Sequence, residues 1–319
     1  MRITTNLASA YRDCPFFNDV QAGLSGPVKT LPAKYFYDAE GSRLFEEICD
    51  LPEYYLTRTE IALLKKVAPE IARHIPLGAA LVELGSGASV KTRLLLDAAP
   101  QLGFYVPIDI SESALAAAAR SIAADYPDLA VTPVAADFTK ALTLPEAVRA
   151  RPTVGFFPGS TIGNFTPDEA AALLGRARAM LGDGASFLLG ADLVKPLETL
   201  IPAYDDAQGV TAAFNRNILV RINRELNADF DPESFRHLAL WNEKDSRIEM
   251  HLVSERDQRV TIHGELAVDF AEGQSIHTEN SYKFTPAMID DIAARAGWRV
   301  ETSWVGDAQP FAVFLLRGN

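Results

Sequence analysis

Two glycines one residue apart, in Glu83-Leu84-Gly85-Ser86-Gly87, close an apolar run from Ala79 to Leu84. A strand ending in such a pair can turn tightly and bring its backbone close to a nucleotide-like ligand. The amides at the start of the next helix, expected over Ser89 to Ala99, would face that ligand. Asp109 stands 22 residues after Gly87, at the end of a second apolar run, Phe104-Tyr105-Val106-Pro107-Ile108. A carboxylate in that place can hold a ribose diol. A dinucleotide fingerprint asks for a third small residue at position 90, and Val90 stands there instead. The pattern therefore favours S-adenosyl-L-methionine over a nicotinamide cofactor. A Gly-x-Gly alone is equally an ordinary tight turn, and the acid at the next strand end is what makes the cofactor reading.

The elements that would position these residues alternate in type. After the first two strands, Ser111 caps an alanine-rich helix over Ser113 to Ala124. A third strand is expected over Ala130 to Ala135, followed by Asp137-Phe138, and a fourth over Thr153 to Phe157. Ser160-Thr161-Ile162-Gly163-Asn164 then lies at that strand's carboxyl end. Thr166-Pro167-Asp168-Glu169 reads as a helix start, with Thr at N-cap, Pro at N1 and Glu at N3. That helix runs to Leu181, and a fifth strand spans Ser186 to Val194. The series specifies an α/β fold, a parallel Rossmann-like sheet whose ligands bind beyond the carboxyl ends of its strands. At Lys195 the series breaks. Residues 196–230 read as helical, and Ile248 to Val253, Arg259 to Val268 and Ser275 to Phe284 as strands with period-two alternation. Thr285-Pro286 starts a last helix ending at Gly297, and strands over Trp298 to Trp304 and Pro310 to Arg317 complete the first sheet. The expected division is 58–195 plus 285–319 for the cofactor domain, and 1–57 plus 196–284 for a second, discontinuous α+β substrate-binding domain.

A chain of 319 residues with 48% apolar content can bury one large core or two smaller ones. Thirty basic residues stand against 42 acidic ones, for a net charge of −12. No basic block interrupts that balance, so neither nucleic acid nor an anionic membrane is an expected partner, and a small soluble substrate suits it better. No stretch approaches the roughly 18 apolar residues of a membrane span, and the N-terminus has no apolar signal region. Cys14 and Cys49 have no metal-type spacing and the five histidines are scattered, with His251 and His263 in strand-like segments. No metal site is expected, a reducing cytoplasm is the expected compartment, and a monomer the expected state.

Longer motifs narrow the reading. Leu31-Pro32-Ala33-Lys34-Tyr35-Phe36-Tyr37-Asp38, Gly41-Ser42-x-Leu44-Phe45 and Leu51-Pro52-Glu53-Tyr54-Tyr55-Leu56-Thr57-Arg58-Thr59-Glu60 resemble the start of the ergothioneine-pathway L-histidine Nα-methyltransferases. So do Gly159 to Asn164, Ala203-Tyr204-Asp205-Asp206, Gly209 to Asn215, Asn223-Arg224-Glu225-Leu226 and Ile248-Glu249-Met250. The resemblance runs from about residue 20 to the C-terminus. It implies a class I methyltransferase domain with a second substrate domain, and three successive methyl transfers from S-adenosyl-L-methionine to the α-amino group of free L-histidine, giving hercynine. It also implies positions. Tyr37, Gly85, Lys91, Asp109, Asp137 and Phe138 match cofactor contacts. Tyr54, Asn164 and Tyr204 match residues that grip the substrate's carboxylate and amino group. Glu279 and Ser281 match the pair that reads the imidazole, and Met250 belongs to the same pocket. Tyr37 and Asn164 are the residues expected to orient the reacting nitrogen.

The chemistry of these residue types agrees. Glu279 and Ser281 are two apart on an expected strand and would point to one face. A carboxylate beside a hydroxyl can engage an imidazole edge, although an exposed polar strand face would look the same. Tyrosine hydroxyls and an asparagine amide suit a zwitterion, although Tyr54 and Tyr204 also fit ordinary packing, as Tyr35 and Tyr55 do. Asp205 and Asp206 are taken as solvated or structural, because methyl transfer needs no metal. Tyr37 or Phe214 would face the growing trimethylammonium. Relatives of this family act on tryptophan derivatives, so the same fold methylating another aromatic amino acid is the alternative. A silent cofactor-binding module and a nicotinamide oxidoreductase are the readings from other classes.

Overall fold

The computed structural model describes residues 14–87, 90–264 and 266–318, with the backbone alone at 113 and 114. The helix start expected at Ser89 lies outside the described residues. The chain forms two compact units. The first combines the chain up to Tyr55 with Pro196–Ser281, and the second combines Leu56–Lys195 with Tyr282–Asn319.

The chain begins in the first unit. Helix α1 (Pro15–Leu24) buries Phe16, Phe17, Val20 and Leu24, the three-and-four spacing of one helical face. After the short strand β1 (Lys29–Thr30), Asp38 caps α2 (Ala39–Asp50) by accepting the Gly41 N–H at 2.7 Å. Gly41 is irreplaceable by shape, since a Cβ there would sit 1.7 Å from the Phe36 carbonyl oxygen.

The second unit takes over with α3 (Tyr55–Ala72) and then alternates. It runs through β2 (Ala80–Leu84), α4 (Val90–Ala98), β3 (Phe104–Asp109), α5 (Glu112–Asp125), β4 (Ala130–Val131), β5 (Val134–Ala135), α6 (Glu146–Arg149), β6 (Thr153–Phe157), α7 (Pro167–Leu181) and β7 (Ser186–Asp192). The third strand expected from the sequence is thus two short pieces. Pro133, which has no N–H to give the ladder, stands between them. Thr166 caps α7 with the reciprocal Glu169 contact read from the sequence. Ser111 stands at the N-cap of α5 with no side-chain capping bond.

From Pro196 the first unit resumes with α8 (Leu197–Leu200), α9 (Val210–Leu226), β8 (Phe235–Asn242), β9 (Arg247–Ser254), β10 (Gln258–Ile262), β11 (Leu266–Phe270) and β12 (Ser275–Tyr282). Its main sheet has the order β1-β12-β9-β8. The segment expected as one strand over Arg259 to Val268 is an antiparallel hairpin, β10 on β11, turning at His263 and Gly264 with φ of +55° and +73°. His263 is therefore a turn residue, not a strand residue.

The second unit closes with α10 (Pro286–Arg295), β13 (Trp298–Val305) and β14 (Phe311–Gly318). Its sheet has the order β13-β14-β7-β6-β2-β3-β4, with β5 also on β3. Strands β7, β6, β2 and β3 are mutually parallel, and β14 runs antiparallel to β7. Helices cover both faces. Leu173, Leu174 and Ala177 of α7 join Ile289 and Ile292 of α10 on one, and Leu63, Leu64 and Ile71 of α3 join Leu95 and Leu96 of α4 on the other. With faces covered on both sides, every residue of β2, β6 and β7 is buried. This is a Rossmann-like α/β sheet. The chain order reverses between β2 and β6, and at such a switch point the strand ends open into a ligand crevice.

Candidate active site

In the second unit the glycine loop follows β2. Gly85 and Gly87 have φ of +70° and +46°, conformations that favour residues without a Cβ. Asp109 ends β3, where its carboxylate accepts the Ser111 N–H at 3.0 Å and the Gly87 N–H at 3.5 Å. Phe138 packs over the loop, its ring 3.4 Å from where a Gly85 Cβ would lie and edge-on to Phe157 at 5.5 Å. Asp137 uses one oxygen to cap its own turn, accepting the Thr139 N–H at 2.9 Å and hydroxyl at 2.5 Å. Lys91 lies in the first turn of α4 and pairs with Glu60 at 2.5 Å.

These residues fit S-adenosyl-L-methionine on an observation independent of any likeness. The Ser86 hydroxyl is buried in the loop and finds no partner among the described residues. A buried polar group left without a bond is costly, and a polar ligand lying on the loop would satisfy it. No described atom lies within 4 Å of where a Gly87 Cβ would stand.

Beneath the loop Glu83 is 1% exposed and accepts the Thr92 hydroxyl at 2.6 Å and the Tyr105 hydroxyl at 2.5 Å. Burial outweighs those bonds and pushes its carboxyl up to about 7.

Asn164 ends a short 3-10 turn (Thr161–Asn164) after β6, in the same unit. Its loop is held at several points. Glu60 accepts the Gly159 N–H, the Ser160 hydroxyl accepts the Asp192 N–H at 2.9 Å, and Gly163 abuts the Tyr282 backbone so closely that a Cβ would lie 2.9 Å from it.

The first unit gathers the other expected residues. Tyr37 ends the turn Ala33–Phe36 between two anchors. Phe36 is fully buried on Phe214, with ring centroids 4.6 Å apart, and Asp38 accepts Asn217 Nδ2 at 2.8 Å and an Arg224 N–H at 2.7 Å. The Tyr37 ring meets Phe45 and Phe214 edge-on at 5.6 and 5.7 Å and keeps 39% of its surface open. Tyr54 packs on Phe45 at 6.1 Å and on Tyr204 at 6.4 Å. The Tyr204 hydroxyl and Ser281 Oγ share a hydrogen bond of 2.7 Å. Glu279, two residues before Ser281 on β12, acts on the same tyrosines. Removal from water, then the Glu279 charge, pushes the Tyr37 phenol well above its usual range. Burial and the Tyr204 phenol do most of the same for Tyr54, with Glu279 adding to it. Tyr37, Tyr54, Tyr204, Glu279 and Ser281 thus converge, and the phenols of Tyr37 and Tyr54 stay protonated at neutral pH.

Three further residues are placed by their packing and hydrogen bonds. Phe214 is 3% exposed and meets the Tyr37 ring edge-on, so it supports that ring from below. Met250 is 2% exposed, and what ties it to the group is its carbonyl, which accepts the Thr278 hydroxyl at 3.0 Å. Asp206 is structural as expected, its carboxylate capping the first turn of α9 through the Val210 and Thr211 N–H groups at 3.0 and 2.7 Å.

Sequence reasoning missed the support behind Tyr204. His237 Nε2 donates to the Tyr204 carbonyl at 2.8 Å, which leaves its Nδ1 to accept from Asn215 Nδ2 at 2.8 Å. Asn215 Oδ1 in turn accepts the Thr278 hydroxyl at 2.8 Å. Burial lowers the His237 pKa and keeps the ring neutral. The one available signal was Asn215 inside a quoted motif.

The histidines are also less scattered than expected. Glu249, His251 and His277 bring metal-type atoms within 4.8 Å of one another. The two rings stack at 4.8 Å with 18° between planes, which holds their lone pairs in nearly parallel planes, and Arg247 pairs with Glu249 at 2.6 Å. Arg247 supplies the ion pair of this group, and burial holds the His277 pKa below its usual value. No described helix is long and apolar enough to cross a membrane.

Residues 16–318 match the family model described as histidine-specific methyltransferase, SAM-dependent. The chain is 47% identical over 302 residues to the histidine N-alpha-methyltransferase of Mycolicibacterium smegmatis and 44% identical over 301 residues to that of Mycobacterium tuberculosis, covering 93% of both partners in each case. It is 26% identical over 299 residues to ergothioneine biosynthesis protein 1 of Schizosaccharomyces pombe, covering 90% of this chain and 38% of that protein. The chain belongs to the histidine-specific, S-adenosylmethionine-dependent methyltransferases.

Proposed function

We propose that the protein transfers three methyl groups in turn from S-adenosyl-L-methionine to the α-amino group of free L-histidine, giving hercynine, the first step of ergothioneine formation. The observation that carries this reading is the convergence in one unit of Glu279, the Ser281–Tyr204 hydrogen bond and the protonated phenols of Tyr37 and Tyr54. The names of the mycobacterial and fission-yeast relatives support it. The first unit would be the substrate-binding domain and the second the cofactor domain.

S-adenosyl-L-methionine supplies a methyl group already activated on a sulfonium. The Gly85 loop, Lys91, Asp109, Asp137 and Phe138 would hold it, and Tyr37 is the remaining position that the family resemblance matches to a cofactor contact. Glu279 would accept an imidazole N–H and Ser281 would bond the same ring edge. Two such partners, each worth about 1.5–3 kcal/mol with a charged group involved, suffice to select imidazole over an indole. Tyr54, Tyr204 and Asn164 would grip the α-carboxylate and amino group. Tyr37 and Asn164 would orient the nitrogen lone pair, which is the main demand of an in-line displacement. Neutral phenols are not bases at neutral pH, so the amine gives its proton to water.

Mass spectrometry of histidine, tryptophan and tyrosine incubated with the protein and S-adenosyl-L-methionine tests the reading. A product from histidine alone, heavier by three CH₂ units, is expected. Product from tryptophan would overturn the role given to Glu279 and Ser281.

A further inference from the structure

Glu60 is buried completely inside α3, yet its carboxylate reaches the edge of the sheet where the ligand loops gather. It pairs with Lys91 at 2.5 Å and accepts the Gly159 N–H with both oxygens, at 2.8 and 3.0 Å. The fold makes room for it. A Cβ at Gly190 of β7 would lie 2.3 Å from Glu60 Oε1, and a Cβ at Gly159 would lie 3.3 Å from Lys91 Nζ. Carboxylate, ammonium and the loop after β6 therefore form one packed group beside the switch-point crevice.

We propose that Glu60 is a charge-balancing positioning residue that lets this crevice favour a cationic methyl donor over its neutral demethylated product. The inference rests on the proposed use of S-adenosyl-L-methionine. That molecule carries a sulfonium, an ammonium and a carboxylate, so one net positive charge, and S-adenosylhomocysteine has lost the sulfonium charge. An unpaired Lys91 ammonium at the loop would repel the first and leave the second almost unaffected. Paired with Glu60, Lys91 keeps its N–H donors and its place while the local charge falls to zero. The discrimination matters because a triple methylation releases three product molecules for each substrate consumed.

Calorimetric affinities for S-adenosyl-L-methionine and S-adenosylhomocysteine, measured on the full chain, test this. Glu60→Gln keeps the shape and an acceptor for Gly159 but removes the charge. It should weaken donor binding about tenfold more than product binding, the scale of one charge interaction at partly screened range. Adding Lys91→Met removes the second charge and should return the donor-to-product ratio to within about twofold of the unmodified protein. Equal losses for both ligands would show a merely structural role and overturn the proposal, as would an unchanged ratio. If Glu60→Gln does not fold, Lys91→Met alone is read. A ratio shifted several-fold toward the donor supports the proposal, and no shift or the opposite shift overturns it. An unmodified protein that binds neither ligand would defeat the cofactor reading itself, and this inference with it.

Discussion

A phenol that keeps its proton can donate or accept a hydrogen bond but cannot take a proton at neutral pH. Tyr37 and Tyr54 are held in that state first by removal from water, with the Glu279 charge next for Tyr37 and the Tyr204 phenol next for Tyr54. The expected kcat/KM for histidine therefore rises with the neutral fraction of the substrate amine to a plateau, with no falling limb below about pH 10. Tyr37→Phe should lower the plateau without moving the inflection. A falling alkaline limb below pH 10 that disappears in Tyr37→Phe would show instead that the phenol ionises in turnover. At this scale the tyrosines and the Glu279–Ser281 pair were legible because they sit in long, unusual motifs. The His237–Asn215 support of Tyr204 was not, because its partners lie 33 and 22 residues from His237 and no local pattern marks them.

Between β2 and α4 the chain stores a pH dependence. Glu83 has its carboxyl raised by burial from the ordinary 4.5 to about 7. An acid whose folded pKa is raised favours its protonated form on folding. Its stabilisation is present below about pH 4.5, is lost as pH rises, and is gone above about pH 7. The loss is at most of the order of 3 kcal/mol. Glu83→Gln keeps an acceptor for Thr92 and Tyr105 and removes the titration. Its melting temperature should gain on that of the unmodified protein between pH 4.5 and 7 and hold a constant margin above; a parallel course across that range would mean Glu83 does not titrate there. The βαβ series itself was legible because caps, glycines and apolar runs agree, as they do at Thr166-Pro167-Asp168-Glu169. The failures have local causes. β8 was hidden because Leu238 and Leu240 occupy its less buried positions and blur the alternation. β10 and β11 were merged because His263 takes a left-handed conformation usually signalled by Asn or Gly. β4 and β5 were fused because the interruption at Pro133 was read through.

Across the whole molecule the chain crosses between its units three times, at Tyr55/Leu56, Lys195/Pro196 and Ser281/Tyr282. The break at Lys195 was visible as the point where strand–helix alternation stops. The return was harder to place because β12 runs through it, from Ser275 to Tyr282, without a change of pattern. The division has a thermodynamic consequence. Asp109 belongs to the second unit and Glu279 to the first, so each should govern one ligand. Glu279→Ala should weaken histidine binding about 10- to 150-fold, the equivalent of roughly 1.5–3 kcal/mol, and leave S-adenosyl-L-methionine affinity within about twofold. Asp109→Asn should do the reverse. In the double variant the two losses should add, because the substituted residues belong to different units and each would serve a different ligand. Calorimetry of the four proteins against both ligands measures every side of this cycle. A coupling above about 0.5 kcal/mol would mean that donor and acceptor sense each other on binding, and Tyr37 would be the residue to vary next. It is the one cofactor-matched position in the unit that holds Glu279, and its phenol already responds to that carboxylate.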